Sequence, residues 1–163
     1  MSKNIVIESG LSFVWIHFAC LCYDNWLTPI IVDNIWDKKT IRLGEMQDII
    51  DKPPIFFEGE LNDQKLWKKI TKSFPIIDCL IITNDKLFNW NSRNETLHYY
   101  TYQTNKILWS IKECINAWCS RIINLSSALL YNQKNLIPPF TEKDAIQSYN
   151  PYTTINYIVE LVL

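Results

Sequence analysis

The sequence predicts an α+β fold, a mostly antiparallel sheet packed against one long amphipathic helix at about residues 93–134, with shorter helices beside it. Three observations point there. From Leu97 through Tyr100, Ile107, Ile111, Ile115, Trp118, Ile122 and Leu125 to Leu129, apolar residues recur at helical spacing, with a lapse at Thr104. That spacing gathers them on one helix face. Ile76–Thr83 is the most β-like run of the chain. In Tyr152–Leu163, the residues Ile155, Tyr157, Val159 and Leu161 alternate with Asn156, Ile158 and Glu160, as in a closing strand.

The remaining elements follow in order. Asn4–Glu8 reads as a short strand and Gly10 as a turn. Ser12–Tyr23 reads as a longer strand, apolar on both faces, with a buried helix as the rival reading. Asp24-Asn25 signals a turn, and Pro29–Val32 a third strand ending at Asp33-Asn34. Trp36–Arg42, with Asp37-Lys38-Lys39 as its polar tip, reads as a turn between short strands. Met46, Ile49 and Ile50 take helical spacing before Pro53-Pro54 stops the helix. Ile55–Phe57 is a brief strand. Asp63–Ser73 is a helix, capped by Asn62 or Asp63, that turns Leu66, Trp67, Ile70 and Phe74 inward. Leu87–Asn91 is loop or a short edge strand. Ser92-x-x-Glu95 offers a capping box to the long helix, and Pro138-Pro139 ends it. Thr141-x-x-Asp144 caps a short helix through Ser148.

The 163 residues suit a single domain spanning 1–163. A hydrophobic share of 48% against 20% charged residues marks a globular chain. With only 3 glycines, a phosphate-cradling loop is not expected, because such loops bring backbone without Cβ close to the ligand. The net charge of −1 gives no pull towards nucleic acid or anionic membranes. The apolar run Leu11–Tyr23 is too short to cross a bilayer, and Glu8, Trp15 and His17 spoil it as an export signal. Five cysteines (Cys20, Cys22, Cys79, Cys114, Cys119) show no metal-binding spacing and read as reduced, buried thiols of a cytoplasmic protein.

Candidate chemistry is sparse. The two histidines, His17 and His98, have no partner at a spacing that catalysis or metal binding would need, so no catalytic residue, metal or cofactor is expected. Asp78 and Asp85 bracket the best strand as turn residues. Lys65, Lys68, Lys69 and Lys72 share one helix face behind an acidic run, which opposes nucleic-acid binding. That run contains Glu45, Asp48, Asp51, Glu58, Glu60 and Asp63. Trp26, Trp36 and Trp90 lie in polar, turn-like surroundings and are candidate interface anchors.

In size, in its apolar start (Ser12–Tyr23, Pro29–Val32), in the acidic segment Glu45–Asp63 and in its long helix, the chain resembles bacterial toxin-immunity proteins of the contact-dependent inhibition type. The resemblance implies a cytoplasmic binding protein, not an enzyme, that blocks a cognate toxin domain such as a nuclease. Glu45, Asp48, Asp51, Glu58, Glu60 and Asp63 would then mimic phosphates in a basic cleft, with Trp36 or Phe57 as the buried anchor. Two alternatives stay open: a small hydrolase or transferase using Cys20 or Cys22 with a histidine, and a self-assembling adaptor.

Overall fold

The computed structural model describes residues 2–35, 39–83, 93–131, 139–144, 146 and 150–163. Strands and helices alternate: β1 (Asn4–Glu8), α1 (Phe13–Asp24), β2 (Thr28–Asp33), α2 (Lys39–Ile50), β3 (Phe56–Glu58), α3 (Gln64–Ser73), β4 (Cys79–Thr83), α4 (Arg93–Asn116) and β5 (Arg121–Leu125). A single 3-10 turn (Ala128–Tyr131) and α5 (Pro151–Val162) follow.

The expectation of a mostly antiparallel sheet is overturned. The five strands lie in the order β3-β2-β1-β4-β5, and every pairing is parallel. The physical reason lies in the strands themselves, which are apolar on both faces. Ile5, Ile7, Ile31, Cys79 and Ile81 pack with Trp15, Ile16, Ala19, Cys20 and Cys22 of α1 and Met46 of α2. Their neighbours Val6, Ile30, Val32, Leu80 and Ile82 pack with Leu66, Trp67 and Ile70 of α3, Ile107 and Cys114 of α4, and Ile155 and Val159 of α5. A sheet covered by helices on both faces is the usual setting of parallel strands.

Several element assignments change accordingly. Lys39–Arg42, read as part of a turn between short strands, opens the helix α2. Ser12–Tyr23 is the helix α1, not a strand; an almost uniformly apolar segment gives neither a clear period of two nor one of 3.6. The helix expected over 93–134 stops at Asn116, and its supposed second half holds β5. Trp118 adopts φ 59° just past the helix end, where the Cys119 N–H donates to Cys114 O at 3.0 Å. A left-handed residue closed by a bond back across the last turn terminates the helix. Ile122 and Leu125 belong to β5 although their spacing continued the helical stripe. The closing strand is α5: Asn150 caps it through a reciprocal box with Thr153, Pro151 follows as the first helical residue, and Ile155, Asn156 and Val159 point inward.

Other assignments hold. β1 has the bounds read from the sequence, and Asp63 caps α3 by accepting from the Lys65 N–H at 2.8 Å. Thr141 and Asp144 bond to each other, the Thr141 hydroxyl donating at 3.1 Å, but residues 142–144 form turns and bends. The expectations for Trp36, Asp85, the 87–91 segment, Trp90, the Ser92 box and Ser148 fall outside the described residues.

Candidate functional site at the carboxyl edge of the sheet

In an open parallel sheet, ligands bind beyond the carboxyl ends of the strands where the strand order reverses. Here the chain runs outward through β1, β2 and β3, then returns to the other side of β1 with β4 and β5. The reversal lies between β1 and β4, so Glu8 and Thr83 flank the crevice and Asp33 closes β2 beside it.

Glu8 is 5% exposed, and its carboxylate is fully engaged with protein groups. Oε1 lies 2.7 Å from Lys106 Nζ on α4, and Oε2 accepts the Thr83 N–H at 2.8 Å. The Thr83 hydroxyl donates to the Glu8 carbonyl at 3.4 Å. Three elements thus converge on one carboxylate. Burying a charge is tolerated only when it is paired and hydrogen-bonded, as here.

The turn from β1 into α1 comprises Ser9, Gly10, Leu11 and Ser12. Ser9 takes φ 51°, a left-handed position rarely given to a residue with a Cβ. Gly10 is required by space: a Cβ there would lie 2.7 Å from Ile31 Cγ2 and 3.2 Å from Ile7 O. Three N–H groups of the turn donate to protein acceptors. Gly10 donates to Val32 O at 3.4 Å, Leu11 to Asp33 Oδ2 at 3.1 Å, and Ser12 to Ser9 O at 2.9 Å. Arg42 Nη1 donates to Leu11 O at 2.6 Å, tying the turn to α2.

Beside the turn, Asp33 is 7% exposed, and its Oδ1 accepts from the Asn34 N–H at 2.8 Å. Asn34 in turn donates to Glu60 Oε1 at 2.8 Å, and the Tyr102 hydroxyl donates to Glu60 Oε2. Burial, and then this bond to Glu60, push the Tyr102 hydroxyl pKa upward. On the far flank, buried polar atoms of Gln103, Asn124 and Ser126 have no hydrogen-bond partner among the described residues. Such orphans call for a water or a ligand group.

The residues singled out from the sequence are scattered. Glu45 and Asp48 stand exposed on α2, Asp51 occupies a left-handed turn position, and Glu58 ends β3 facing solvent. Phe57, half-buried, meets Phe74 edge to face against the core. Asp63 caps α3, and Glu60 bonds to Asn34 at the carboxyl edge. Asp78 accepts the Asn4 N–H at 2.8 Å at the opposite end of the sheet. His17 and His98 are exposed, His17 meeting Phe13 edge to face and His98 stacking on Tyr102, whereas Cys20 and Cys22 are buried. Among the described residues, no cluster of His, Cys, Asp or Glu could hold a metal. No helix among them is long and apolar enough to cross a membrane.

Comparison with known proteins agrees with this geometry. No family model matches the chain. Over 161 residues it is 24% identical to a UDP-glucose 4-epimerase of Yersinia enterocolitica, covering 98% of this chain and 47% of that enzyme. A UDP-glucose 4-epimerase of Haemophilus influenzae is likewise 24% identical, over 159 residues. Among solved structures, the UDP-Glc/GlcNAc 4-epimerase of Campylobacter jejuni superposes with a TM-score of 0.83 at 20% identity, covering 99% of this chain and 48% of that one. The UDP-glucose 4-epimerase of Bifidobacterium longum, solved with NAD+ and UDP, gives a TM-score of 0.79 at 22% identity. The fold is Rossmann-like, and the chain spans about half the length (47%) of the curated relatives it matches.

These likenesses overturn the immunity-protein reading, and with it the toxin partner and the expectation of a protein unrelated to enzymes. They give no support to the hydrolase or transferase alternative either, and burial raises the Cys20 and Cys22 thiols above their ordinary pKa.

The dinucleotide-binding fingerprint of this fold is G-x-G-x-x-G at the first turn, with an acid about 20 residues further on for the ribose. Asp33 fits the acid. The turn departs from the fingerprint: Gly10-x-Ser12-x-x-Trp15 keeps the first glycine only, and the Gly10, Leu11 and Ser12 N–H groups are engaged by the protein. Sequence reading missed this site because the missing glycines are its signal. What remained legible was Gly10 directly after an apolar strand, and Asp33 after the next.

Proposed function

We propose that residues 1–163 form one nucleotide-binding unit of the kind found in UDP-sugar epimerases, acting in the cytoplasm. Its ligand lies across the carboxyl ends of β2, β1 and β4, with an adenosine ribose on Asp33. The observation that carries this reading is the position of Asp33, at the end of the second strand of a β3-β2-β1-β4-β5 sheet and beside the first turn. Buried polar atoms of Gln103, Asn124 and Ser126, without a partner among the described residues, supply further hydrogen-bonding capacity. The relatives support isomerisation of a UDP-sugar as the reaction class.

Calorimetric titration with adenosine, ADP-ribose and NAD+ tests the binding, and incubation with UDP-glucose tests for its 4-epimer. Asp33→Asn should weaken adenosine binding about tenfold, the loss of one charged hydrogen bond, while leaving the melting curve cooperative. Absence of binding by all three ligands at millimolar concentration would remove the proposal.

A further inference from the structure

We infer that Glu8 is a built-in anion. Its carboxylate takes the cation and the backbone donor that the switch-point crevice would otherwise offer a ligand's phosphates, so the site selects its ligand through the nucleoside. This rests on the nucleotide-binding reading and refines it.

Four observations carry the inference. Lys106, 7% exposed, is a cation at the strand reversal, and it is satisfied by Glu8 at 2.7 Å. Thr83, whose N–H projects from the carboxyl end of β4, also donates to Glu8, at 2.8 Å. In the turn before α1, the N–H groups of Gly10, Leu11 and Ser12 donate to Val32 O, Asp33 Oδ2 and Ser9 O. Trp15 is buried in the α1 core where the fingerprint has the glycine that lets helix and strand close up. A second anion beside Glu8 would find the Lys106 ammonium and the Thr83 N–H already taken.

The test compares ligands that share a nucleoside but differ in phosphate content. For the wild-type chain, adenosine and ADP-ribose should bind within about threefold of each other, since the phosphates add no net contact. ADP-ribose binding about tenfold or more tightly than adenosine would overturn the inference and leave the proposed function standing. Binding of neither would overturn both.

The converse variant is Glu8→Gln, which keeps the Thr83 hydrogen bond and frees Lys106. Inorganic pyrophosphate, with sodium sulfate at matched ionic strength as control, should raise its Tm and leave the wild-type Tm unchanged. ADP-ribose should bind the variant about tenfold more tightly than wild type. Should Glu8→Gln fail to fold, Glu8→Gln/Lys106→Met removes both charges, and that variant should show no response to pyrophosphate. A pyrophosphate response in the wild type, or in the double variant, would sink the inference.

Discussion

Lys106 Nζ and Glu8 Oε1 meet at 2.7 Å, with side-chain exposures of 9% and 6%, and so join α4 to the end of the central strand. Removing one partner strands the other charge in the interior, which costs about 3–5 kcal/mol, whereas replacing both with neutral groups of similar volume is often nearly neutral. Lys106→Met should therefore destabilise by about 3–5 kcal/mol, and Lys106→Met/Glu8→Gln by much less. Urea unfolding of the two variants checks it. Equal losses in both would show that the charges are not coupled.

Gly10 makes a steric prediction. Its Cβ position lies 2.7 Å from Ile31 Cγ2, and Ile31 is fully buried. A β-branched side chain in a strand has little rotamer freedom with which to move aside. Gly10→Ala should cost about 1–3 kcal/mol, the usual range for overpacking. Gly44 is the internal control: a Cβ there meets nothing within 4 Å, and it lies within α2, so Gly44→Ala should stabilise. Equal effects at the two positions would contradict the packing account.

Local signals in the sequence were strong where one residue decides one bond. Asp63 as the cap of α3, and Asn4–Glu8 as a strand with Gly10 turning after it, follow from side-chain chemistry within a few positions. The direction of the strands did not follow. Ile5 and Ile7 bury on one face and Val6 on the other, a pattern that shows two-sided burial without naming the partners. The two ends of the chain failed for a common reason. α1 is apolar nearly all round, and in α5 the inward residues Ile155 and Val159 fit an alternating stripe as well as a helical one.

The site was less legible than the fold. Asp33 and Glu8 look like ordinary strand-ending acids, and Lys106 like a polar-face residue of a long helix. Only the parallel order β2-β1-β4 brings the first two to one edge, and only the descent of α4 over that edge brings the third. The glycines that would have announced a nucleotide turn are replaced by Ser12 and Trp15.

Trp26 and Trp118 pose a paired prediction. Both take φ 59°, both follow a helix end, and both are solvent-exposed, at 88% and 83%. Each sits under a bond that closes the last helical turn, Leu27 N–H to Cys22 O at 2.9 Å and Cys119 N–H to Cys114 O at 3.0 Å. Glycine adopts this backbone without a Cβ clash, so Trp26→Gly and Trp118→Gly should each be neutral or stabilising by up to about 1 kcal/mol. Thermal unfolding decides it. A clear loss at either position would show that the indole packs on the protein.

Alkaline pH should destabilise the fold through its buried thiols. Desolvation raises Cys22 to about 11, and likewise Cys79, from the ordinary thiol value of 9.0. Cys114 is raised as well, by burial and then by its hydrogen bond with Cys119. A raised folded-state pKa means that the folded chain holds its proton more tightly than the unfolded one. The resulting stability is fully present below pH 9 and is lost as pH climbs from 9.0 through about 11. Urea midpoints measured across that window should fall steadily, and Cys22→Ala or Cys79→Ala, though less stable at neutral pH, should show a shallower decline. The same protonated state predicts slow reaction of Cys20, Cys22 and Cys79 with iodoacetamide at neutral pH, because only the thiolate is nucleophilic. Rapid labelling of Cys22 in the folded chain at pH 7 would show that its surroundings stabilise the thiolate, and the predicted alkaline decline would lose its cause.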